Sequence, residues 1–175
     1  MKKQVLATAA IVGIAALALK AQDKSLATVG HVDLKKYLGK WYEIAAFPQS
    51  FQKGCSCTSA EYSLRPDGDI EVKNTCLKEG KTKIATGKAV VKDKTTNAKL
   101  SVTFFWPFSG KYWIIALAPD YSYAIVGHPN RDYLWILSRK PVMDDQTYRM
   151  LVVTAADKGF DVRRLVKTDQ SCNKG

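Results

Sequence analysis

Histidine is almost missing from this chain. Only His31 and His128 occur in 175 residues, each apart from any cluster of metal-ligating side chains, which argues against a zinc site. There is no Gly-rich loop to cradle a phosphate and no G-x-S-x-G turn to present a nucleophilic serine. Asp144-Asp145 is a paired carboxylate, but at the start of a helical segment its ordinary role is capping and dipole compensation rather than acid–base chemistry. Basic runs of five or six are absent as well, although Lys and Arg number 27 against 16 Asp and Glu. Lysines scattered along strands and turns make a solvated surface and speak against a nucleic-acid partner. A positive surface of this kind attracts anionic membranes or acidic ligands, less so as salt rises.

Long hydrophobic runs are equally scarce. The longest uncharged stretch, Gln4 to Leu19, falls short of the roughly 20 apolar residues a membrane helix wants. Preceded by Met1-Lys2-Lys3, it has the layout of a secretory signal peptide, with cleavage after Ala18 or Ala21. Removal through Ala21 takes Lys2, Lys3 and Lys20 with it, and the formal charge falls from +11 to +8. Neither site leaves a cysteine at the new N-terminus, as a lipid-anchored bacterial lipoprotein would need. The expected organisation is therefore a signal peptide over 1–21 and one domain over 22–175, exported and soluble. An uncleaved membrane anchor is the alternative. A domain of this length buries most of its apolar surface without a metal or an obligate partner. Four cysteines, Cys55, Cys57, Cys76 and Cys172, are an even number in an exported chain and read as two disulfides, for which three pairings exist.

What is abundant is short β-rich segments at regular intervals, the pattern of an all-β barrel or sandwich. They run over 41–47, 58–64, 70–75, 83–91, 99–105, 111–117, 121–127 and 133–138. Arg65-Pro66-Asp67-Gly68 is hairpin chemistry. Trp106 to Gly110, punctuated by proline and glycine, reads as a loop, and its exposed aromatics suit contact with a membrane, a partner or the cavity mouth. The period then changes: Asp144 caps a helix presenting Tyr148, Leu151, Val152 and Ala155 on one face, which Gly159 ends. A last strand is expected over 161–166. A single helix among strands has to lie outside the sheet. Alternation puts Ile70 and Val72 on one face and Leu100, Val102 and Phe104 on another, both pointing inward. Ala85, Gly87 and Ala89 make a wall of small residues that leaves room, and eight strands is the size at which a barrel is either filled or holds one small molecule.

Three stretches in order then resemble the lipocalin motifs: Gly39-Lys40-Trp41-Tyr42-Glu43, the family's G-x-W; Pro119-Asp120-Tyr121; and Leu137-Ser138-Arg139. The likeness spans Val32 to Cys172 and falls in the branch that includes bacterial lipocalins and apolipoprotein D. It implies an eight-stranded up-and-down antiparallel barrel with one C-terminal α-helix packed outside. It also implies that Gly39, Trp41 and Arg139 plug the narrow end, with the arginine over the indole face. Pro48 to Gly54 becomes the long first loop at the open end. Ala60, Tyr62, Ile70, Val72, Ala85, Val102, Phe104, Tyr112, Ile114, Trp135 and Leu137 become an inner wall for a ligand. Tyr62 and Tyr112 are either polar handles there or hydroxyls that reach the rim. The resemblance pairs Cys57 with Cys172 and Cys55 with Cys76, while the hairpin geometry also allows Cys57 with Cys76. The implied function is binding of a fatty acid, lysophospholipid or similar amphiphile, with no cofactor. The protein is expected as a monomer or weak dimer, periplasmic or secreted, with peripheral membrane contact.

Overall fold

The computed structural model describes residues 25–173, so the segment read as a signal peptide lies outside the described residues. Eight strands, β1 Gly39–Ala46, β2 Ser56–Leu64, β3 Ile70–Lys78, β4 Lys81–Val91, β5 Lys99–Phe105, β6 Phe108–Leu117, β7 Tyr123–Gly127 and β8 Leu134–Ser138, follow one another. Each pairs antiparallel with the next, and β1 pairs with both β2 and β8. The sheet therefore closes on itself as an up-and-down barrel, which removes the exposed edges of an open sheet. A two-residue β9, Val166–Lys167, lies along β1 at Ala45 and Ala46, beyond the point where β1 stops pairing with β2.

The turn chemistry read from the sequence holds between β2 and β3. Arg65 N donates to Asp69 O at 2.9 Å, and Gly68 takes the positive φ of +85° that a side chain resists. Helix α2, Asp145–Asp157, starts where Asp144 Oδ1 accepts from Thr147 N at 2.8 Å. It lies outside the barrel, where Leu151, Ala155 and Phe160 cover Phe47, Ile115, Ile125, Leu134 and Ile136. A second, separate core fills the inside of the barrel.

Several strand ends shift by one to three residues, as at β1, β2, β3, β4 and β8, and three further differences change the reading. The loop expected over 106–110 is a tight hairpin, because Ser109 and Gly110 pair with Thr103 and Val102 and carry β6 almost to the turn. The turn itself holds a cis Trp106–Pro107 peptide. The strand expected over 161–166 is mostly a 3₁₀ turn, Val162–Arg164, since β1 offers this segment partners only at Ala45 and Ala46. Tyr121 belongs to a turn, with φ +61°, and β7 begins at Tyr123. One α-helix was not expected: α1, Leu34–Tyr37, capped by Asp33, is too short to show a helical period.

Candidate functional site

The three motif stretches meet at one end of the barrel. Gly39 has φ +88°, which lets the chain turn into β1 directly before Trp41, fully buried at 0% exposure. The Arg139 guanidinium carbon stands 3.8 Å from the Trp41 ring centroid. Its nitrogens donate to four main-chain carbonyls: Nη1 to Lys40 O at 2.8 Å, Nη2 to Lys36 O at 2.7 Å and Tyr37 O at 3.2 Å, and Nε to Tyr121 O at 3.3 Å. Trp41 Nε1 donates to Tyr37 O at 2.8 Å, and Asp33 N donates to the Tyr121 hydroxyl at 2.8 Å. One arginine thus gathers α1, β1 and the turn before β7 under a single indole, by cation–π attraction and by satisfying carbonyls that would otherwise be orphaned.

Register identifies the inner wall above this plug. Trp41 pairs with Ala60, Ala60 with Asn74, and Asn74 with Ala85, so this row shares one face of the sheet. Tyr62, Ile70, Val72, Val102, Phe104, Tyr112, Ile114, Trp135 and Leu137 belong to the same interior cluster. Their exposure divides the interior in two. Tyr62, Ile70, Val72, Ile114 and Leu137 are buried, whereas Ala60, Val102, Phe104, Tyr112 and Trp135 are half-buried and Ala85 is exposed. The lower half is sealed from bulk solvent, and the upper half is open to it at the end away from the plug. The small-residue wall is not simply empty. The Phe104 ring lies over Gly87, where an added Cβ would come within 2.8 Å of Phe104 Cδ1 and 2.7 Å of Thr103 O.

Tyr37 is the interior residue that strand alternation had no means of finding, because it comes from α1 and not from the barrel. An aromatic-apolar pair, Tyr37-Leu38, directly before the G-x-W stretch was the only available signal. The Tyr37 and Tyr62 hydroxyl oxygens each lie 2.8 Å from that of Tyr112. These phenols are inside the barrel and do not reach its rim. Burial pushes the Tyr62 phenol up to about 12 and raises Tyr37 and Tyr112 well above the ordinary phenol range.

At the open end, Phe105, Trp106 and Phe108 are 76%, 89% and 78% exposed at the tip of the β5–β6 hairpin, and Phe51 projects from the first loop. Lys53, Lys78, Lys81 and Lys83 occupy the same end, where Glu79 is the acidic residue of the β3–β4 turn. Disulfides join Cys55 to Cys76 and Cys57 to Cys172. Two hollows of about 360 Å³ and 350 Å³ lie elsewhere, one beside the C-terminal segment at Met143, Tyr148 and Thr168, the other below the plug at Lys36 and Arg139. Neither touches the inner-wall residues, so neither bears on the site in the lumen. Among the described residues no cluster of three or more His, Cys, Asp or Glu side chains forms a metal site.

A lipocalin-like domain model matches residues 32–170. The chain belongs to the lipocalin family. Temperature-induced lipocalin-1 of Arabidopsis thaliana is 42% identical over 159 residues, 86% of each chain. Outer membrane lipoprotein Blc of Escherichia coli K12 is 40% identical over 166 residues, covering 94% of this chain and 93% of its own. Bovine apolipoprotein D is 40% identical over 148 residues, 79% of this chain and 77% of its own. Among solved structures, lobster apocrustacyanin A1 superposes with a TM-score of 0.63 at 26% identity and 79% coverage of each chain. Insecticyanin from the tobacco hornworm superposes with a TM-score of 0.66 at 24% identity, covering 81% of this chain and 82% of its own, and speaks to the fold alone.

Proposed function

We propose that this lipocalin is an exported carrier or scavenger that holds a fatty acid, lysophospholipid or similar amphiphile in its barrel, after removal of a signal peptide over 1–21. It works at the cell envelope or in the secreted space, with its open rim against membrane. One observation carries the reading. A single inner face is sealed below, at Trp41, Tyr62 and Ile114, and accessible above, at Ala60, Ala85, Val102 and Trp135. An alkyl chain entering that half would gain about 0.8 kcal/mol per buried CH₂, enough for micromolar binding without a specific polar contact. The catalytic alternative is a lipocalin-fold enzyme acting on a lipid or carotenoid through a cysteine or an inward tyrosine, and its thiol route alone meets an obstacle, since all four cysteines are held in disulfides.

The position of Phe104 over Gly87 favours a second reading, a filled barrel that acts as an interaction module. Tryptophan quenching of the delipidated, oxidised mature protein separates the two. Titration with a long-chain fatty acid and with a lysophospholipid is expected to give saturable one-to-one quenching that is lost when Val102 or Ala89 is replaced by Trp. A folded protein that neither amphiphile quenches would overturn the lipid reading in favour of a filled barrel or a different ligand class.

A further inference from the structure

Tyr37, Tyr62 and Tyr112 converge from α1, β2 and β6 at the level where the sealed half of the lumen gives way to the open half. Tyr37 and Tyr62 are 2% and 6% exposed, and Tyr112 is half-buried. Each phenol has one donor proton and an oxygen that accepts. Two contacts of 2.8 Å join the three hydroxyls through Tyr112, and these are their only hydrogen bonds among the described residues. Three protons cannot all be used in two contacts. Whichever way the protons are arranged, one hydroxyl proton is left to seek an acceptor outside the triad.

The surroundings decide which acceptor suits it. Ala60, Leu100, Val102 and Phe104 pack in the same interior cluster and offer no charge. Arg139, the cation nearest the plug, spends its Nε, Nη1 and Nη2 on main-chain carbonyls. An ionised carboxylate brought here would be desolvated with one donor to bind it, and the Arg139 guanidinium, its N–H groups held by main-chain carbonyls, would act on it through its field alone, which offsets only part of the cost. An uncharged oxygen would cost little and would complete the hydroxyl chain.

We infer that the tyrosine triad is the polar seat of the lumen, and that it takes one uncharged oxygen, the hydroxyl or carbonyl of a long-chain alcohol, ketone or ester, in preference to an ionised carboxylate. The inference rests on the lipid-binding reading above and assigns an orientation within it. The neutral oxygen goes down to the triad and the chain runs toward the mouth. A ligand with a charged head lies the other way, with that head among Lys53, Lys78, Lys81 and Lys83.

The test compares 1-dodecanol with dodecanoate at pH 8, where the carboxylate is ionised, in the oxidised mature protein and in a triple variant, Tyr37→Phe, Tyr62→Phe and Tyr112→Phe. That variant keeps the rings and removes all three donors at once, a change close to neutral for the fold. Tryptophan quenching is expected to show 1-dodecanol weakened by about fivefold, the worth of one neutral hydrogen bond, with dodecanoate nearly unchanged. A second measurement needs no variant. In the unmodified protein, 1-dodecanol should shift the tyrosine absorption to the red as a phenol donates to it, and dodecanoate should not. Undiminished 1-dodecanol binding in the triple variant, or no tyrosine shift on saturation, overturns the triad as the seat. Equal losses and equal shifts for the two probes overturn the preference for a neutral oxygen. Failure of both probes to quench the folded, unmodified protein is a different result, since it removes the lipid-binding reading and the inference with it.

Discussion

Glu43 shows how much a single letter of a motif can conceal. In the sequence it is only the residue after Trp41-Tyr42. In the structure it is a carboxylate 8% exposed near the point where β1 parts from β2. Thr168 Oγ1 donates to its Oε1 at 2.6 Å and Gln52 Nε2 to its Oε2 at 2.9 Å. Gln170 Nε2 donates to its main-chain oxygen and to Thr58 O, both at 2.8 Å. The carboxylate thus connects the first loop, β1 and the C-terminal segment. Burial raises its pKa, and the two side-chain hydrogen bonds offset only part of that rise. The folded state therefore holds the Glu43 proton more tightly than the unfolded chain does. That contribution is fully present below the unfolded value of about 4.3 and is lost as pH rises through the elevated folded value. Glu43→Gln keeps the shape and removes the titration. Relative to that variant, the urea midpoint of the unmodified protein is expected to climb as pH falls from 7.5 to 5. A difference that stays constant with pH would show that Glu43 does not titrate in this window.

Among the elements, legibility followed the length of the repeating pattern. β3 and β5 alternate over enough residues for their inward faces to be read directly, and α2 announces itself by its cap and period. The four-residue α1 has no period to read, so Tyr37 stayed hidden although it completes the interior cluster. The start of β6 is hidden because proline and glycine look like loop residues, yet Gly110 sits in a regular pair with Val102. β4 offers the most instructive case. Its small inward residues were read as room, but at Gly87 the room belongs to Phe104, a neighbour on β5 that alternation along one strand cannot reveal. Gly87→Ala is expected to destabilise the barrel by about 1–3 kcal/mol in chemical denaturation, as overpacking does. Adding Phe104→Ala should recover only part of that loss, because Thr103 O is main chain and cannot withdraw. Full recovery would mean that the aromatic ring alone sets the limit.

Across the whole molecule the two ends of the barrel are chemically opposite. One is drawn shut by Arg139 on main-chain carbonyls. The other carries exposed aromatics beside lysines, a combination suited to an interface with anionic lipid, where rings enter the headgroup layer and ammonium groups meet phosphate. Co-sedimentation with vesicles containing phosphatidylglycerol is expected to retain the domain over 22–175 at low salt and to release it as salt rises. Replacing Trp106 and Phe108 with Ala should lower retention at least several-fold. Retention equal on neutral vesicles, or indifferent to the double replacement, would place the contact elsewhere. The family and the barrel were legible from the three motif stretches because those residues build the plug. The meeting of three hydroxyls was not, since Tyr37, Tyr62 and Tyr112 lie 25 and 50 residues apart and only the closed barrel brings them together.

The two disulfides also differ in when they can form. Cys55 lies just before β2 and Cys76 on β3, 21 residues apart, so both exist once the β2–β3 hairpin has been made. Cys57 lies 115 residues before Cys172, which follows all eight barrel strands. A chain synthesised from its N-terminus therefore exposes Cys57 for most of its manufacture beside Cys55 and Cys76, the two cysteines it must not keep. Early oxidation has the native Cys55–Cys76 bond and two non-native bonds to Cys57 open to it, and the full native set needs either a Cys57 thiol that waits for the last strand or an isomerase that reopens a wrong pairing.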